Sequence, residues 1–209
     1  MSDEYASIAA HCNVQLKVEG SKFISDAFPI TSEDDVISFL EGIKKKYFDA
    51  THHCFAFVIG KKQTSFRYSD DGEPSGTAGI KIFSAIQSHN FSDTLVVVTR
   101  YFGGTKLGVG GLGRAYYDAA QLVLQHAKPI TKQCVVRLRI SFFHEEMNGV
   151  MNTITKNKII IAKREYTDIV AFLLYVPKSF VEQLSLQLTN ATRGQLTIEL
   201  QHEETIITD

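Results

Sequence analysis

The sequence has no tryptophan, only four prolines and only three cysteines, and the cysteine count excludes two classes of protein. Cys12, Cys54 and Cys134 lie far apart and form no CxxC pair, which argues against both a disulfide framework and a cysteine-rich zinc site. An excess of one charge is missing too, since 22 lysines and arginines stand against 23 aspartates and glutamates. A broadly basic nucleic-acid coat protein is therefore excluded, although a local basic patch is not.

Long apolar runs and a basic N-terminal segment are also missing. The longest apolar stretches, such as residues 170–176, fall far below the roughly 20 residues that a membrane span needs. Asp3 and Glu4 stand near the start, where a secretory signal would carry lysine or arginine. We therefore expect a cytoplasmic protein with reduced cysteines and no membrane partner.

The hydrophobic pattern changes near residues 128–131, which predicts two domains, residues 1–129 and residues 130–209. The first domain contains both strands and helices. The predicted elements are a β-hairpin over 13–28, a helix from about Val36 to Tyr47, strands over 52–59, 65–68 and 93–102, a short helix over 79–87 and a long helix over 112–127.

The second domain has a different order of elements: strand, helix, strand, strand, helix and a closing strand over 195–201. This βαββαβ order predicts an antiparallel sheet with both helices on one face, the ferredoxin-like arrangement. We therefore predict an α+β protein with two domains.

Glycine is concentrated where the last strand of the first domain meets its long helix. Six of the eleven residues from Gly103 to Gly113 are glycine. A glycine-rich bend lets main-chain N–H groups approach a ligand closely, and a helix N-terminus favours an anion. The residues that we predict to bind a phosphate, in a nucleic acid or another anion, are Arg100, Gly103, Gly104, Lys106, Gly110, Gly111 and Arg114.

This segment matches neither of two well-known phosphate motifs. A P-loop needs Gly-Lys-Ser/Thr after its glycines, and none follows here. Residues 108–113 do contain GxGxxG, but the acidic residue that would contact a ribose is missing, which argues against a dinucleotide fold. The structural alternative is a tight strand-to-helix connection whose arginines pair with Asp70 or Asp71.

A second polar segment, residues 69–79, contains three carboxylates within four residues. Asp70, Asp71 and Glu73 form a candidate acidic site that would bind Mg²⁺ or serve as acid and base. The alternative is structural: the carboxylates cap the following turn or neutralise nearby arginines. Because the structural alternative is favoured, we expect no metal and no cofactor. Mg²⁺ is the one metal ion that the carboxylates of this segment would suit.

Two pairs of residues in strands have weaker signals. His52 and Cys54 share one face of their strand, so a nucleophile and base pair is conceivable, but a buried thiol beside a hydrogen-bonded histidine is favoured. Arg137 and Arg139 share one face of the first strand of the second domain. A solvated strand face is favoured there over an RNA-binding one, because the aromatic pattern of an RNA-recognition motif is absent.

Together these motifs resemble the IMPACT family, which includes the bacterial YigZ-like proteins. The resemblance rests on residues 20–24 (GSKFI), His52-x-Cys54-x-Ala56, residues 70–79 (DDGEPSGTAG), residues 98–108 (VTRYFGGTKLG) and residues 110–116 (GGLGRAY). It implies an N-terminal domain similar to the second domain of ribosomal protein S5 and a C-terminal ferredoxin-like domain. Both domains are similar to domains of elongation factor G.

The resemblance also implies a role in the regulation of translation. Eukaryotic members restrain a kinase of initiation factor 2 through an additional N-terminal domain, and we do not expect that role here because residues before Asn13 leave no room for it. We expect a binding protein whose partner is structured RNA, the ribosome or a translation-related protein. Two alternatives stay open: an enzyme acting on nucleotides or phosphate esters with the carboxylates of residues 70–73, and a protein–protein regulator acting through the C-terminal sheet.

Overall fold

The computed structural model describes residues 3–63 and 65–208, which form two compact units. Residues 5–131 form the N-terminal unit. Residues 132–208 form the C-terminal unit, to which residues 3 and 4 also belong. The first strand, β1 (Glu4–Ile8), contains one residue assigned to the C-terminal unit, Glu4, and four assigned to the N-terminal unit. No helix within the described ranges is long and apolar enough to cross a membrane.

The N-terminal unit is built on a five-stranded antiparallel sheet. Its strands are β2 (Cys12–Val18), β3 (Ser21–Pro29), β4 (His52–Ile59), β5 (Ser65–Ser69) and β6 (Thr94–Tyr101). The order across the sheet is β2-β3-β6-β4-β5, which places β6 at the centre. All residues of β6 except the last are buried, because helices cover both faces of the sheet at this strand.

Alternation along β6 assigns the helices to the two faces. Leu95 and Val97 pack with α1 (Glu33–Lys46) in one cluster, whereas Val96 and Val98 pack with α2 (Gly79–Ser88) and α3 (Gly108–His126) in another. The start of α1 is fixed by a capping box, in which Ser32 Oγ accepts from the Asp35 N–H and the Asp35 carboxylate accepts from the Ser32 N–H.

The C-terminal unit has two helices and four long strands in the predicted order. Its elements are β7 (Pro129–Phe142), α4 (Met147–Lys156), β8 (Ile160–Tyr166), β9 (Val170–Pro177), α5 (Val181–Ala191) and β10 (Leu196–Ile207). With β1, which pairs with β7, these strands form a five-stranded sheet in which β10-β7-β9-β8 are antiparallel neighbours. The helices α4 and α5 pack into one core with β7 and β9. The predicted α+β fold class is confirmed.

The strand β1 was not predicted, and two element boundaries differ from the prediction by four residues or more. α3 begins at Gly108 instead of Leu112, so Gly108, Gly110 and Gly111 belong to the helix and not to a loop. β10 continues to Ile207 instead of ending at residue 201, with a register irregularity between Leu200 and Glu203 where it pairs with β7. Most of the added stretch is exposed, so no hydrophobic pattern in the sequence marks it.

Candidate functional site

The first turn of α3 is a row of small, exposed residues without a cap. Gly108, Val109, Gly110 and Gly111 are all exposed, and no side chain within residues 3–63 and 65–208 caps the start of this helix. The first four N–H groups of a helix have no acceptor within the helix, and the helix dipole adds partial positive charge there. The turn therefore presents main-chain donors to solvent, which is the local requirement for binding an anion.

Three cations surround this turn. Lys106 precedes it and Arg114 follows it, and both side chains are exposed. Lys81 comes from α2 and lies against α3, since a Cβ added to Gly113 would meet Lys81 Cε at 3.3 Å. None of the three forms an ion pair with a carboxylate of residues 3–63 or 65–208. Their charges are therefore available to a ligand.

Lys81 and Arg114 line an open groove between α2 and α3, of about 620 Å³, which we call the α2–α3 groove. Gly110 and Gly113 contribute main chain to it, and Asp118 is its one acidic residue. The full lining is Gly76, Lys81, Ser84, Val109, Gly110, Gly113, Arg114, Tyr117 and Asp118. Two cations against one carboxylate give the groove a net positive charge.

A smaller cavity of about 270 Å³, which we call the Arg100 pocket, shares Val109 with the α2–α3 groove. Its lining is Glu73, Pro74, Arg100, Phe102, Lys106, Leu107, Gly108, Val109 and Leu112. Arg100 is buried, and its Nη1 donates to Glu73 Oε1 at 2.7 Å. Its Nε is enclosed and has no hydrogen-bond partner among the described residues. Arg100 thus shares its charge with Glu73, and its Nη2 donates to Ser21 Oγ at 3.4 Å.

Glu73 is the centre of a buried polar network. Besides the bond from Arg100, its Oε1 accepts from the Tyr116 hydroxyl at 2.8 Å. The Cys54 thiol lies 3.3 Å from that hydroxyl and 3.0 Å from the carbonyl oxygen of Asp70. Burial raises the pKa of Cys54 to about 12 and also raises the pKa of Tyr116. Both groups are protonated at neutral pH, so Cys54 has the chemistry of a structural thiol and not of a nucleophile.

Asp70 and Asp71 are engaged with main-chain groups. Asp70 accepts from the N–H groups of Gly76, Ala78 and Gly79 at 2.8–2.9 Å. Asp71 Oδ2 accepts from the His53 N–H at 2.7 Å. Burial alone would raise the pKa of Asp70, but the three amide bonds together lower it. Each carboxylate thus holds a different part of the 70–79 segment in place.

The three predicted acidic residues are not assembled around a common point. Asp70 and Asp71 contact separate main-chain groups, and Glu73 faces Arg100 and Tyr116. In the part of the chain that the structure describes, no group of three or more His, Cys, Asp or Glu side chains is placed to hold a metal ion. His52 lies nearby, with Nδ1 2.8 Å from the Asp71 carbonyl oxygen and Nε2 3.9 Å from Glu73 Oε2.

The predicted glycines differ in what they contact. Gly103 crosses the turn between β2 and β3, and a Cβ there would lie 1.9 Å from the carbonyl carbon of Gly20. Gly103 is therefore required by the close approach of two backbones. By contrast, a Cβ at Gly104 or Gly110 would meet nothing within 4 Å, and one at Gly111 would make only an ordinary contact. Packing does not require these three to be glycine, although the backbone φ of +90° favours glycine at Gly104.

The arginines of the C-terminal sheet are paired with acids on neighbouring strands. Arg137 Nε lies 3.5 Å from Glu204 Oε1 on β10, and Arg139 Nη2 donates to Glu165 Oε2 on β8 at 2.8 Å. Their positive charge is neutralised within the sheet.

Comparisons with known proteins agree with this architecture. The sequence model of the Impact N-terminal domain matches residues 19–124, and a domain of unknown function (DUF1949) matches residues 145–195. The chain is 31% identical to the IMPACT family member YvyE of Bacillus subtilis (strain 168) over 199 residues, covering 95% of this chain and 92% of YvyE. The chain belongs to the IMPACT family.

Two further relatives cover nearly the whole chain of this IMPACT family member. It is 28% identical to the IMPACT family member YigZ of Escherichia coli (strain K12), across 91% of this chain and 94% of YigZ. A solved structure described as a crystal structure of a hypothetical protein superposes with a TM-score of 0.68 and 26% identity, over 98% of this chain and 100% of that one. The resemblance stated from the motifs is therefore confirmed.

Sequence reasoning about this IMPACT family member missed two residues at the site. Lys81 is separated from the glycine cluster by more than twenty residues, and only the packing of α2 against α3 brings it to the groove. Tyr116 appears in the sequence as one more apolar position of α3, yet its hydroxyl bonds Glu73. The only signal for Tyr116 was a polar tip on an otherwise buried helix face.

Proposed function

We propose that this IMPACT family member binds RNA, either as structured RNA or in the ribosome, by seating phosphates on the N-terminus of α3, and that it acts in the regulation of translation. The observation that carries the proposal is the exposed, uncapped turn of residues 108–111 between three cations without carboxylate partners. Main-chain donors at a helix end and nearby lysine or arginine side chains are the groups that bind phosphate in proteins.

The charge of the whole protein favours a small site over a broad one. A net charge of −1 gives no general attraction for nucleic acid. Binding must then come from a few contacts held in a fixed geometry, here Lys81, Lys106 and Arg114 with the first amides of α3. Three phosphate contacts correspond to a slope of roughly −2 to −3 when the logarithm of affinity is plotted against the logarithm of salt concentration.

The glycines of α3 support close contact between a ligand and the main chain. Glycine in a helix costs about 0.5–1 kcal/mol relative to alanine, and no neighbour requires it at Gly110. A glycine that lowers helix stability and is not required by packing is expected at a position where a ligand contacts the backbone.

Neither alternative is favoured by the geometry. For the enzyme, Asp70 and Asp71 are bonded to main-chain amides and Glu73 to Arg100. For the protein–protein regulator, Arg137 and Arg139 are paired within the C-terminal sheet. Both alternatives stay predictions.

The experiment is a fluorescence anisotropy titration of a labelled RNA hairpin, with purified bacterial ribosomes as competitor, at several salt concentrations. We expect Lys106→Ala combined with Arg114→Ala to weaken binding at least about tenfold and to make the salt slope shallower by one to two. Lys62→Ala combined with Lys156→Ala is the matched control, because it removes two exposed lysines elsewhere. Unchanged affinity in the first double variant would remove the proposal.

A further inference from the structure

A second cavity lies on the α1 face of the N-terminal sheet, opposite the face that carries the α2–α3 groove. It has a volume of about 220 Å³, and His11, Asp26 and Phe28 line it from the sheet side. Phe39 and Lys46 line it from α1. Nothing in the proposed RNA-binding function uses this cavity, so the inference drawn from it is independent of that function.

Asp26 is the unusual residue of this cavity. Its side chain is fully buried, and Oδ1 lies 2.8 Å from His11 Nε2, which donates to it. Its other oxygen, Oδ2, is buried and has no hydrogen-bond partner among the described residues. A buried carboxylate oxygen without a donor is costly, so such atoms normally meet a donor from water, an ion or a ligand. Because Asp26 lines this cavity, a molecule bound there is in place to supply that donor.

Aromatic rings give the cavity a rigid wall. The His11 ring is stacked on Phe28 with centroids 4.4 Å apart, and Phe28 is stacked on Phe39, also at 4.4 Å. Three stacked rings thus form part of the cavity wall. The cavity has a carboxylate on one side and aromatic surface next to it.

Lys46 places a positive charge in the lining of the same cavity. Its side chain is exposed, and its Nζ lies 4.8 Å from the centroid of the Tyr47 ring. The pKa of Lys46 is raised, first by the Tyr47 hydroxyl and in smaller part by the charge of Asp26. The charge of Asp26 thus favours the protonated form of Lys46, although the described residues show no ion pair between the two side chains.

We propose that this cavity binds a small zwitterion of the α-amino acid class. Its ammonium group donates to Asp26 Oδ2, and its carboxylate accepts from Lys46 Nζ. A simple amine would be repelled by Lys46 and a simple carboxylate by Asp26, whereas a zwitterion satisfies both charges. The volume is below the roughly 300–1,000 Å³ of pockets for drug-sized ligands, which suits a ligand of this size.

The test is isothermal titration calorimetry of the full chain with each of the twenty free amino acids, with putrescine as the amine alone and acetate as the carboxylate alone. We expect at least one amino acid to bind saturably and tighter than putrescine or acetate. Lys46→Ala should weaken that binding about tenfold or more, and Asp26→Asn should abolish it. Lys45→Ala, an exposed lysine of α1 outside the cavity, should leave the affinity unchanged.

Because Asp26→Asn changes a fully buried side chain, the exposed Lys46→Ala variant decides the proposal if the first variant does not fold. The proposal is overturned if no amino acid binds below about 10 mM, or if Lys46→Ala binds the best amino acid as well as the wild type does. Binding of putrescine or acetate as tight as that of the best amino acid would overturn it as well.

Discussion

At the scale of single residues, Asp70 shows how a carboxylate that looks catalytic in the sequence can be structural. Its two oxygens accept three main-chain bonds from residues 76–79, which shape the approach to α2. An asparagine would keep only one acceptor oxygen. We predict that Asp70→Asn lowers the free energy of unfolding by about 1–3 kcal/mol at pH 7, measured by urea denaturation.

The pH dependence of that effect follows from the lowered pKa of Asp70. Because the folded-state pKa lies below the ordinary value of 3.8, ionised Asp70 stabilises the fold fully above that pH and loses this effect as the pH falls through the folded-state pKa. The difference between wild type and Asp70→Asn should therefore shrink only in acid. The exposed Asp168→Asn is the control, and a difference that stays constant down to pH 2.5 would contradict this account.

At the scale of elements, we expect a substitution in the first turn of α3 to change stability and RNA affinity in opposite directions. A methyl group at Gly110 meets nothing within 4 Å, so Gly110→Ala should stabilise the helix by about 0.5–1 kcal/mol. The same methyl group occupies the surface on which we place a phosphate. We predict that Gly110→Ala is more stable than wild type in thermal unfolding and yet binds the RNA hairpin about tenfold more weakly.

The matched control for this variant is Gly42→Ala in α1. A Cβ at Gly42 also meets nothing within 4 Å, so the helix should gain similar stability while RNA affinity stays the same. Stabilisation by Gly110→Ala without any loss of RNA affinity would show that the turn is only a helix start.

The same element shows how far the sequence predicts the fold. A continuous run of apolar residues predicted β4 at its observed bounds, because its side chains are packed on both faces. The start of α3 was missed because glycine disfavours helix on its own, whereas burial of Leu112, Ala115 and Tyr116 extends this helix back through the glycines. The start of α3 is therefore set by the packing of buried side chains and not by the helix propensity of the glycines.

The candidate site was predictable only in part, for a similar reason. Lys106, Gly110 and Arg114 are close in sequence, so their proximity in space could be expected. The partner of Arg100 could not be identified, because Glu73 is one of three neighbouring carboxylates and only the fold selects it. Lys81 and Asp26 carry no local signal at all, since their surroundings come from elements distant in the sequence.

At the scale of the whole molecule, residues 3 and 4 belong to the C-terminal unit, although they precede the N-terminal unit in the sequence. Asp3 Oδ2 accepts from both the N–H and the hydroxyl of Ser179, each at 2.7 Å, in the turn that leads into α5. We predict that Asp3→Ala lowers the stability of the C-terminal unit by about 1–2 kcal/mol, because it leaves that N–H group without its acceptor.

Amide hydrogen exchange measures this effect unit by unit. Exchange should become faster in β7, β9 and α5 and stay unchanged in β3, β4 and β6. Glu199→Ala, an exposed acid of β10, is the control. Equal acceleration in both units, or none in either, would contradict the assignment of Asp3 to the C-terminal unit.

The most direct measurement for the central claim is a titration of the ¹⁵N-labelled protein with the RNA hairpin, followed by the amide resonances. If phosphates lie on the N-terminus of α3, the largest saturating shifts will be those of Gly108, Val109, Gly110 and Gly111, and Gly110→Ala will reduce them. If the RNA binds while these four resonances stay in place, or if the shifts centre on the C-terminal sheet, the account is wrong.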